Sequence, residues 1–160
     1  MRKILVTTLA LFSVISAFAV TDKKTVLDAI AVIESSHDGE AIGDAIPIVM
    51  KFADESPDVV LFVSAEVAPW VFEDLKLSKE QKEVVESLLL ASYAAGSIKH
   101  QLAIGKLDKN PYEGWLLALT KYEELKQKIQ FVSPGMEKLQ KLQKSGKLKS
   151  FGEELIRKKK

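Results

Sequence analysis

Apolar residues recur every three to four positions over most of this chain, which is the spacing of an amphipathic α-helix. The first helix is predicted over about Lys23–Ser35, with Asp22 as its N-cap and its apolar residues on one side. Gly39 is expected to end this helix in the left-handed conformation that glycine adopts readily. The apolar residues that share one side are Val26, Ala29, Ile30 and Ile33.

Prolines complicate the next part of the chain. A second helix is predicted over about residues 40–53, a range that contains Pro47. Either this helix starts later, with Asp44 as its N-cap and Pro47 in its first turn, or Pro47 kinks the helix. After a serine–proline pair, residues 59–63 are rich in β-branched side chains, which are typical of a buried strand. No partner strand is evident, so a third helix is predicted there instead. Pro69 is expected to bend or break this helix.

A capping box at Ser78 opens the longest predicted helix, Lys79–Ile104. Residues 87–98 carry no charge, so the middle of this helix is uncharged on every side, which is typical of a buried helix. These 12 residues are too few to cross a bilayer. The segment is therefore predicted to be the long apolar central helix of the fold.

The end of this helix and the start of the next one carry clear local signals. Gly105 is expected to end the long helix, and His100 near that end is interpreted as a polar surface or capping group. Asn110 is predicted to cap the following helix, with Pro111 in its first position. Trp115 is predicted to be a core anchor of that helix.

The last segments are a helix that begins at Ser133, an interruption at Gly146 and a short final helix over about residues 147–156. About six or seven helices joined by short turns are predicted, so the fold class is all-α, an antiparallel helical bundle or a short helical array. Helical repeats are the nearest alternative. The spacing of Trp115 and Tyr122 resembles the first helix of a tetratricopeptide repeat, but the second-helix positions fall where a turn is expected.

The first 19 residues have the three-part layout of a secretory signal peptide: two basic residues, an uncharged segment and small residues before a cleavage site. Cleavage is predicted after Ala19, which leaves residues 20–160 as a single helical domain with a basic C-terminal tail of about residues 134–160. The protein is therefore expected to be exported, either to the periplasm or outside the cell. An uncleaved anchor over residues 4–20 is the alternative, because 17 uncharged residues are at the lower limit for a membrane span.

Charge is unevenly distributed, although the chain of 160 residues has a formal net charge of only +1. Residues 20–75 contain 12 acidic residues and three lysines, a net of −9, whereas residues 76–160 contain 18 basic and 10 acidic residues, a net of +8. The two halves are expected to face each other, within one molecule or between two. The alternative is that the basic end faces an anionic surface.

The basic tail supplies the candidate interaction surface. It contains nine basic and three acidic residues, a net of +6, and each basic side chain near an anionic membrane contributes on the order of 1 kcal/mol. Its apolar side, formed by Met136, Leu139 and Leu142, either packs on the core or dips into a membrane interface. The residues of the candidate surface are Lys138, Lys141, Lys144, Lys147 and Lys149.

The sequence predicts no catalytic, cofactor-binding or metal-binding residues. There is no cysteine, which excludes thiol chemistry and disulfides. Glu34 and His37 have the i, i+3 spacing of helical di-metal sites, but Ser97 stands where the second histidine, His100, would need its glutamate. The pair is therefore interpreted as part of a polar helix end.

The leading functional hypothesis is an exported small helical protein that acts as a non-catalytic binding or interaction module, with a protein partner or a second copy as its target. The alternative is a peripheral protein of the envelope or membrane surface that uses the basic amphipathic tail. A third hypothesis is an enzyme with dispersed carboxylates, since 22 acidic residues can place two across a cleft. A nucleic-acid partner is not expected, because it fits poorly with export.

Overall fold

The structure is a computed structural model that describes residues 22–158. Within this range the chain forms six α-helices and no strand, so the prediction of an all-helical fold is confirmed as a helical array. None of these helices has the length and apolar character needed to span a membrane. The predicted signal peptide, residues 1–19, and its cleavage site lie outside the described residues. The helices are α1 (Lys23–Ser35), α2 (Gly39–Glu55), α3 (Lys79–Ile104), α4 (Tyr112–Lys128), α5 (Pro134–Lys144) and α6 (Leu148–Lys158).

Local capping fixes the start of α1 and both ends of α3 where the sequence predicts them. The Asp22 carboxylate accepts the backbone N–H of Thr25 at 2.9 Å and so satisfies a free donor of the first turn of α1. At the start of α3, Ser78 and Gln81 form the predicted capping box. Gly105 ends α3 with φ 61°, a left-handed conformation that favours glycine over residues with a side chain.

The connection from α1 to α2 differs from the prediction. Gly39 does not end α1, because it is the first residue of α2, where Asp38 caps the helix by accepting the backbone N–H of Glu40. The helix α2 does not start late at Asp44, and it continues through Pro47, whose ring is exposed to solvent. The aspartate before Gly39 therefore provides a helix start, which outweighs the preference of glycine for a helix end.

The predicted helix over residues 59–63 is wrong. Residues 56–78 form an irregular connection with one short 3₁₀ helix, Pro69–Val71. Local turns, such as the one in which the Ser64 carbonyl accepts the N–H groups of Val67 and Ala68, satisfy some of their backbone groups. Others bond to side chains from α3 and α4 that lie far away in the sequence. The bonds are Gln101 with both backbone groups of Val60, the Tyr93 hydroxyl to the Phe62 carbonyl, and the Trp115 indole N–H to the Val67 carbonyl.

Helices α3 and α4 cross at a pair of glycines. A Cβ built on Gly96 would lie 2.5 Å from the carbonyl oxygen of Glu113, and one built on Gly114 would meet Ser97 and Tyr93. The absence of side chains at these two positions lets the helices approach closely. Trp115, one residue further along α4, is fully buried, as the sequence predicts.

Two apolar clusters lie on different sides of α3. The first contains Leu89 and Tyr93 of α3 with the aromatic rings of Trp70, Trp115 and Tyr122. The second joins α1 and α2 to a different stripe of α3. The α3 residues of the second cluster are Ala91, Ala94, Ala95 and Ile98.

Residues 134–158 of the basic tail are part of the folded array. The Ser133 hydroxyl accepts the backbone N–H of Met136 and caps α5, and Gly146 interrupts the chain with φ 70°, both as predicted. The Glu73 carboxylate accepts hydrogen bonds from the Ser133 hydroxyl at 2.5 Å and from the Gly135 N–H at 2.7 Å. The negative group at the N-terminus of α5 satisfies one of its free N–H donors and anchors the helix to the irregular connection.

Candidate functional site: an apolar groove between α2, α3 and α4

An open groove of about 620 Å³ lies where the start of α2, the start of α3 and the end of α4 meet. Its volume is within the range of about 300–1,000 Å³ that is usual for ligand sites. Most of its surface is apolar because each of the three helices contributes branched aliphatic side chains. These residues are Ile42 and Ile46 of α2, Val84 and Leu88 of α3, and Leu125 and Ile129 at the end of α4.

Val84 is exposed because its neighbour is buried. Successive residues of an α-helix point about 100° apart, so Val84 and Val85 cannot both face the core. Val85 is 0% exposed in the first apolar cluster, whereas Val84 is 58% exposed and lines the groove. An exposed aliphatic side chain in a concave surface can gain free energy when a partner covers it.

Two glycines keep the α2 side of the groove open. Gly39 and Gly43 line it, and a Cβ added to either residue would meet no atom within 4 Å. Both positions are therefore free of side-chain atoms that would narrow the groove. The spacing of four residues places them on the same side of α2, beside Ile42 and Ile46.

Charges of both signs surround the apolar surface, with two carboxylates on α3 and one lysine on α4. Glu80 and Glu83 line the groove beside Val84, and Lys128 lines it from the end of α4. Hydrogen bonds from its own backbone N–H and from the Ser78 hydroxyl hold the pKa of Glu80 below its usual range. Glu80 is therefore negatively charged at neutral pH, and the α3 side of the groove is acidic.

The five lysines of the predicted interaction surface are all exposed. Lys138, Lys141 and Lys144 lie along α5, Lys147 lies in the turn after it, and Lys149 lies in the first turn of α6. Within residues 22–158 no carboxylate oxygen is within 4.0 Å of their ammonium groups. This surface is separate from the groove, which none of the five lysines lines.

The apolar side of α5 faces inward. Met136 is fully buried and Leu139 is 2% exposed, and both belong to the cluster that contains Trp115. Leu142 packs against the same cluster and is partly buried. Of the two predicted alternatives for this stripe, packing on the core is the one found, so only the lysine side of α5 is open to a partner.

An ion pair joins the acidic and basic halves within one molecule. The Lys99 ammonium of α3 lies 2.7 Å from both carboxylate oxygens of Glu34 in α1. Glu34 therefore pairs with a lysine, and His37, three residues later, is exposed and lines the groove. No three His, Cys, Asp or Glu side chains of residues 22–158 gather as a group able to hold a metal ion.

His100 lies beside a second cleft, of about 420 Å³, between α3 and α4. Its Nε2 is 3.3 Å from an Asp108 carboxylate oxygen in the α3–α4 connection. The Glu34–Lys99 pair and Glu113 line the same cleft, so charges of both signs are already close together there. His100 thus links the end of α3 to the following turn and is partly exposed, in agreement with its interpretation as a polar group near a helix end.

Sequence reasoning missed the groove. Its lining comes from three helices, and the pairing of their ends depends on tertiary packing. One local signal was present: the adjacent valines at 84 and 85 lie in an otherwise charged stretch of α3, and a helix can direct only one of them to the core. Comparison of the chain with protein-family models, with curated proteins and with solved structures finds no match.

Proposed function

We propose that this protein is an exported, non-catalytic interaction module that binds a protein partner in the groove between α2, α3 and α4. The observation that supports the proposal is the apolar groove itself. Val84 is 58% exposed and lies in the same concave surface as Ile42 and Ile46 of α2, which are half-buried. Burial of apolar surface contributes about 25 cal/mol per Å², so a partner that covers the groove gains free energy.

Site-specific photo-crosslinking tests this proposal. A photoreactive amino acid at position 84 is expected to give a covalent adduct with another protein in cells that naturally make this chain. Position 132 is the matched control, because Val132 is 61% exposed, is also aliphatic and does not line the groove. Equal labelling at both positions, or no adduct at position 84, would contradict a partner site in the groove.

Export is a separate part of the proposal. The support is the uncharged segment of residues 4–20 after two basic residues, with small residues before position 20. Mass spectrometry of the protein purified from its native cells is expected to show a mature N-terminus at Val20. An intact N-terminus would contradict cleavage after Ala19.

We also propose that α3 serves as the long apolar central helix of the array. The support is its burial on more than one side: Ala94 is fully buried in one apolar cluster and Leu89 in the other. Ala94→Glu is expected to prevent folding, because it places a charge in the core without a partner. Ser87→Glu, at an exposed position of the same helix, is expected to leave the protein folded, as measured by circular dichroism.

A second candidate function is association with an anionic membrane surface through the five lysines of the predicted interaction surface, Lys138, Lys141, Lys144, Lys147 and Lys149. The specific observation in its favour is that these ammonium groups have no carboxylate within ion-pairing distance in the described residues. Because Met136 and Leu139 are buried, this association would be electrostatic and would weaken as salt rises.

Vesicle binding tests this second candidate. Joint replacement of Lys141 and Lys144 by Gln is expected to reduce binding to vesicles that contain anionic lipid. The same change at Lys106 and Lys109, which are exposed lysines outside α5 and α6, is expected to have little effect. Equal binding by the two double variants would contradict a specific role of the α5 surface.

A further inference from the structure

The shape and charges of the groove indicate which kind of partner segment fits, and this inference rests on the function proposed above. We propose that the partner inserts one amphipathic α-helix whose apolar side carries basic residues along one flank. The apolar side contacts Ile42, Ile46 and Val84, and the basic flank faces Glu80 and Glu83.

Shape favours a helix as the occupant. The groove is concave and is bounded by α2 and α4, with the start of α3 between them. A concave surface needs a convex partner, and an α-helix with its side chains is a cylinder about 10–12 Å wide. Helices that bind in grooves insert apolar residues at positions i, i+3 or i+4, and i+7. Gly39 and Gly43 leave space for such side chains along α2.

A second copy of this chain fits the groove less well. Its own groove is also concave, so two grooves placed together would not be complementary in shape. The described helices of a second copy also lack an unused apolar stripe that could insert. The apolar sides of α1, α4 and α5 are packed in the core, as Ile30, Leu119 and Leu139 show, and Leu27 of α1, which is 40% exposed, is a single residue rather than a stripe.

Charge favours a basic flank on the inserted helix. Glu80 and Glu83 lie one turn apart on α3 and both line the groove, whereas Lys128 is the one lysine in its lining. Glu40 follows Gly39 on α2, is exposed, and forms no ion pair with the lysines or arginine of residues 22–158. Glu83 has the Lys79 ammonium 3.9 Å away on the same helix, but this pair is long and both side chains are exposed. Among the residues that line the groove, a helix with Lys or Arg beside its apolar side therefore meets more carboxylates than ammonium groups. Opposite charges at such a surface increase the association rate and the specificity.

Three synthetic peptides test the inference with purified mature protein. The first two have the same leucines at helical spacing, with a lysine flank in one and a glutamate flank in the other. The third has the composition of the lysine peptide in scrambled order, so its leucines do not share one side of a helix. Fluorescence anisotropy measures their affinity at low and at physiological salt. Exposed ion pairs are individually weak, so at low salt the lysine peptide is expected to bind about fivefold more tightly than the glutamate peptide. The scrambled peptide is expected not to bind.

Protein variants locate the binding. Val84→Gln is expected to weaken binding of the lysine peptide at least about tenfold, since it replaces an apolar contact with an amide. The matched change Val132→Gln, at an equally exposed aliphatic residue outside the groove, is expected to leave binding unchanged. Glu83→Lys is expected to reverse the preference between the two charged peptides. Thermal unfolding of each variant checks that it is folded.

The outcomes separate this inference from the proposed function. If crosslinking at position 84 captures a protein but neither charged peptide binds, the groove is a partner site and the helical occupant is wrong. Equal affinity for the lysine and glutamate peptides would overturn the basic flank. Binding that is unaffected by Val84→Gln would place the peptide elsewhere and overturn the inference, whereas no adduct at position 84 in cells overturns the proposed function.

Discussion

The indole N–H of Trp115 donates a hydrogen bond to the backbone carbonyl of Val67 at 2.7 Å, across 48 positions of the sequence. Both residues are fully buried, so this bond ties the irregular connection before α3 to helix α4 inside the core. Trp70 is equally buried, but its indole N–H has no acceptor among the described residues. The two tryptophans are therefore equally buried, but only Trp115 has a partner for its indole N–H among the described residues.

This difference predicts unequal effects of the same substitution. Trp115→Phe leaves the buried carbonyl of Val67 without a donor, whereas Trp70→Phe removes a donor that has no partner. We expect Trp115→Phe to lower the free energy of unfolding by about 1–3 kcal/mol more than Trp70→Phe does. Urea unfolding followed by circular dichroism measures both changes. Equal losses would show that packing alone determines the cost.

The glycine contact between α3 and α4 gives a second prediction. A methyl group at Gly96 would lie 2.5 Å from the Glu113 carbonyl oxygen, and the backbone of α4 cannot move as a flexible side chain does. We expect Gly96→Ala to cost about 1–3 kcal/mol of stability, which is the usual range for overpacking.

Gly43 provides the matched control for Gly96. It lies inside α2, has no positive φ, and has nothing within 4 Å of an added Cβ. Gly43→Ala is expected to stabilise the protein by about 0.4–1 kcal/mol, because alanine reduces the entropy of the unfolded chain. Thermal or urea unfolding measures whether Gly96→Ala lowers the stability while Gly43→Ala raises it. A loss of stability in the Gly43→Ala variant would contradict the open space seen at Gly43.

A third prediction concerns the buried amide of Gln101. Its carbonyl oxygen accepts the N–H groups of Val60 and Asp108, each at 3.0 Å, and its NH₂ group donates to the Val60 carbonyl at 3.0 Å. Gln101→Leu is expected to cost about 1–3 kcal/mol, because it leaves these backbone groups without partners. Hydrogen exchange is expected to become faster at the amides of Val60 and Asp108.

The control for Gln101 is Gln127→Leu at an exposed position of α4. This change is expected to leave both exchange rates unaltered. If Gln101→Leu also leaves them unaltered, the irregular connection is held by packing rather than by the amide.

A fourth prediction concerns acid stability. The Lys126 ammonium at 2.6 Å, followed by the Tyr122 hydroxyl at 2.9 Å, lowers the pKa of Glu137 below its usual value of 4.5. The pKa of Glu137 is lower in the folded state than in the unfolded state. The stabilisation that the ionised Glu137 gives to the fold is therefore complete above pH 4.5 and is lost as pH falls through the folded-state pKa. Glu137→Gln is expected to make the free energy of unfolding less dependent on pH below about pH 5.

Unfolding by urea at a series of pH values measures this effect. Glu153→Gln is the matched control, because Glu153 is an exposed glutamate of α6 without an ion pair in the described residues. Its pH dependence is expected to match that of the unchanged protein. A Glu137→Gln variant with the original acid sensitivity would contradict a role for the Lys126–Glu137 pair.

The sequence by itself determined the helices whose ends are made by neighbouring residues. Asp22, Ser78, Gly105 and Ser133 each act on backbone groups within about one helical turn, so the pattern of a few residues contains the information. The all-helical class and the buried position of Trp115 follow from the same periodicity. The exposed row of lysines on α5 also follows from it, because burial of Met136 and Leu139 leaves the opposite side to solvent.

Only the tertiary structure decided the irregular connection and the groove. The backbone groups of Val60, Phe62 and Val67 bond to side chains 31–48 positions away. A helix over residues 59–63 is predicted only because no partner strand is evident, and these distant side chains supply hydrogen bonds without either a helix or a strand. The groove needs the start of α3 to lie beside the end of α4. The position of these two helix ends beside each other depends on the close contact at Gly96 and on the packing of the whole array. No short stretch of sequence contains that information.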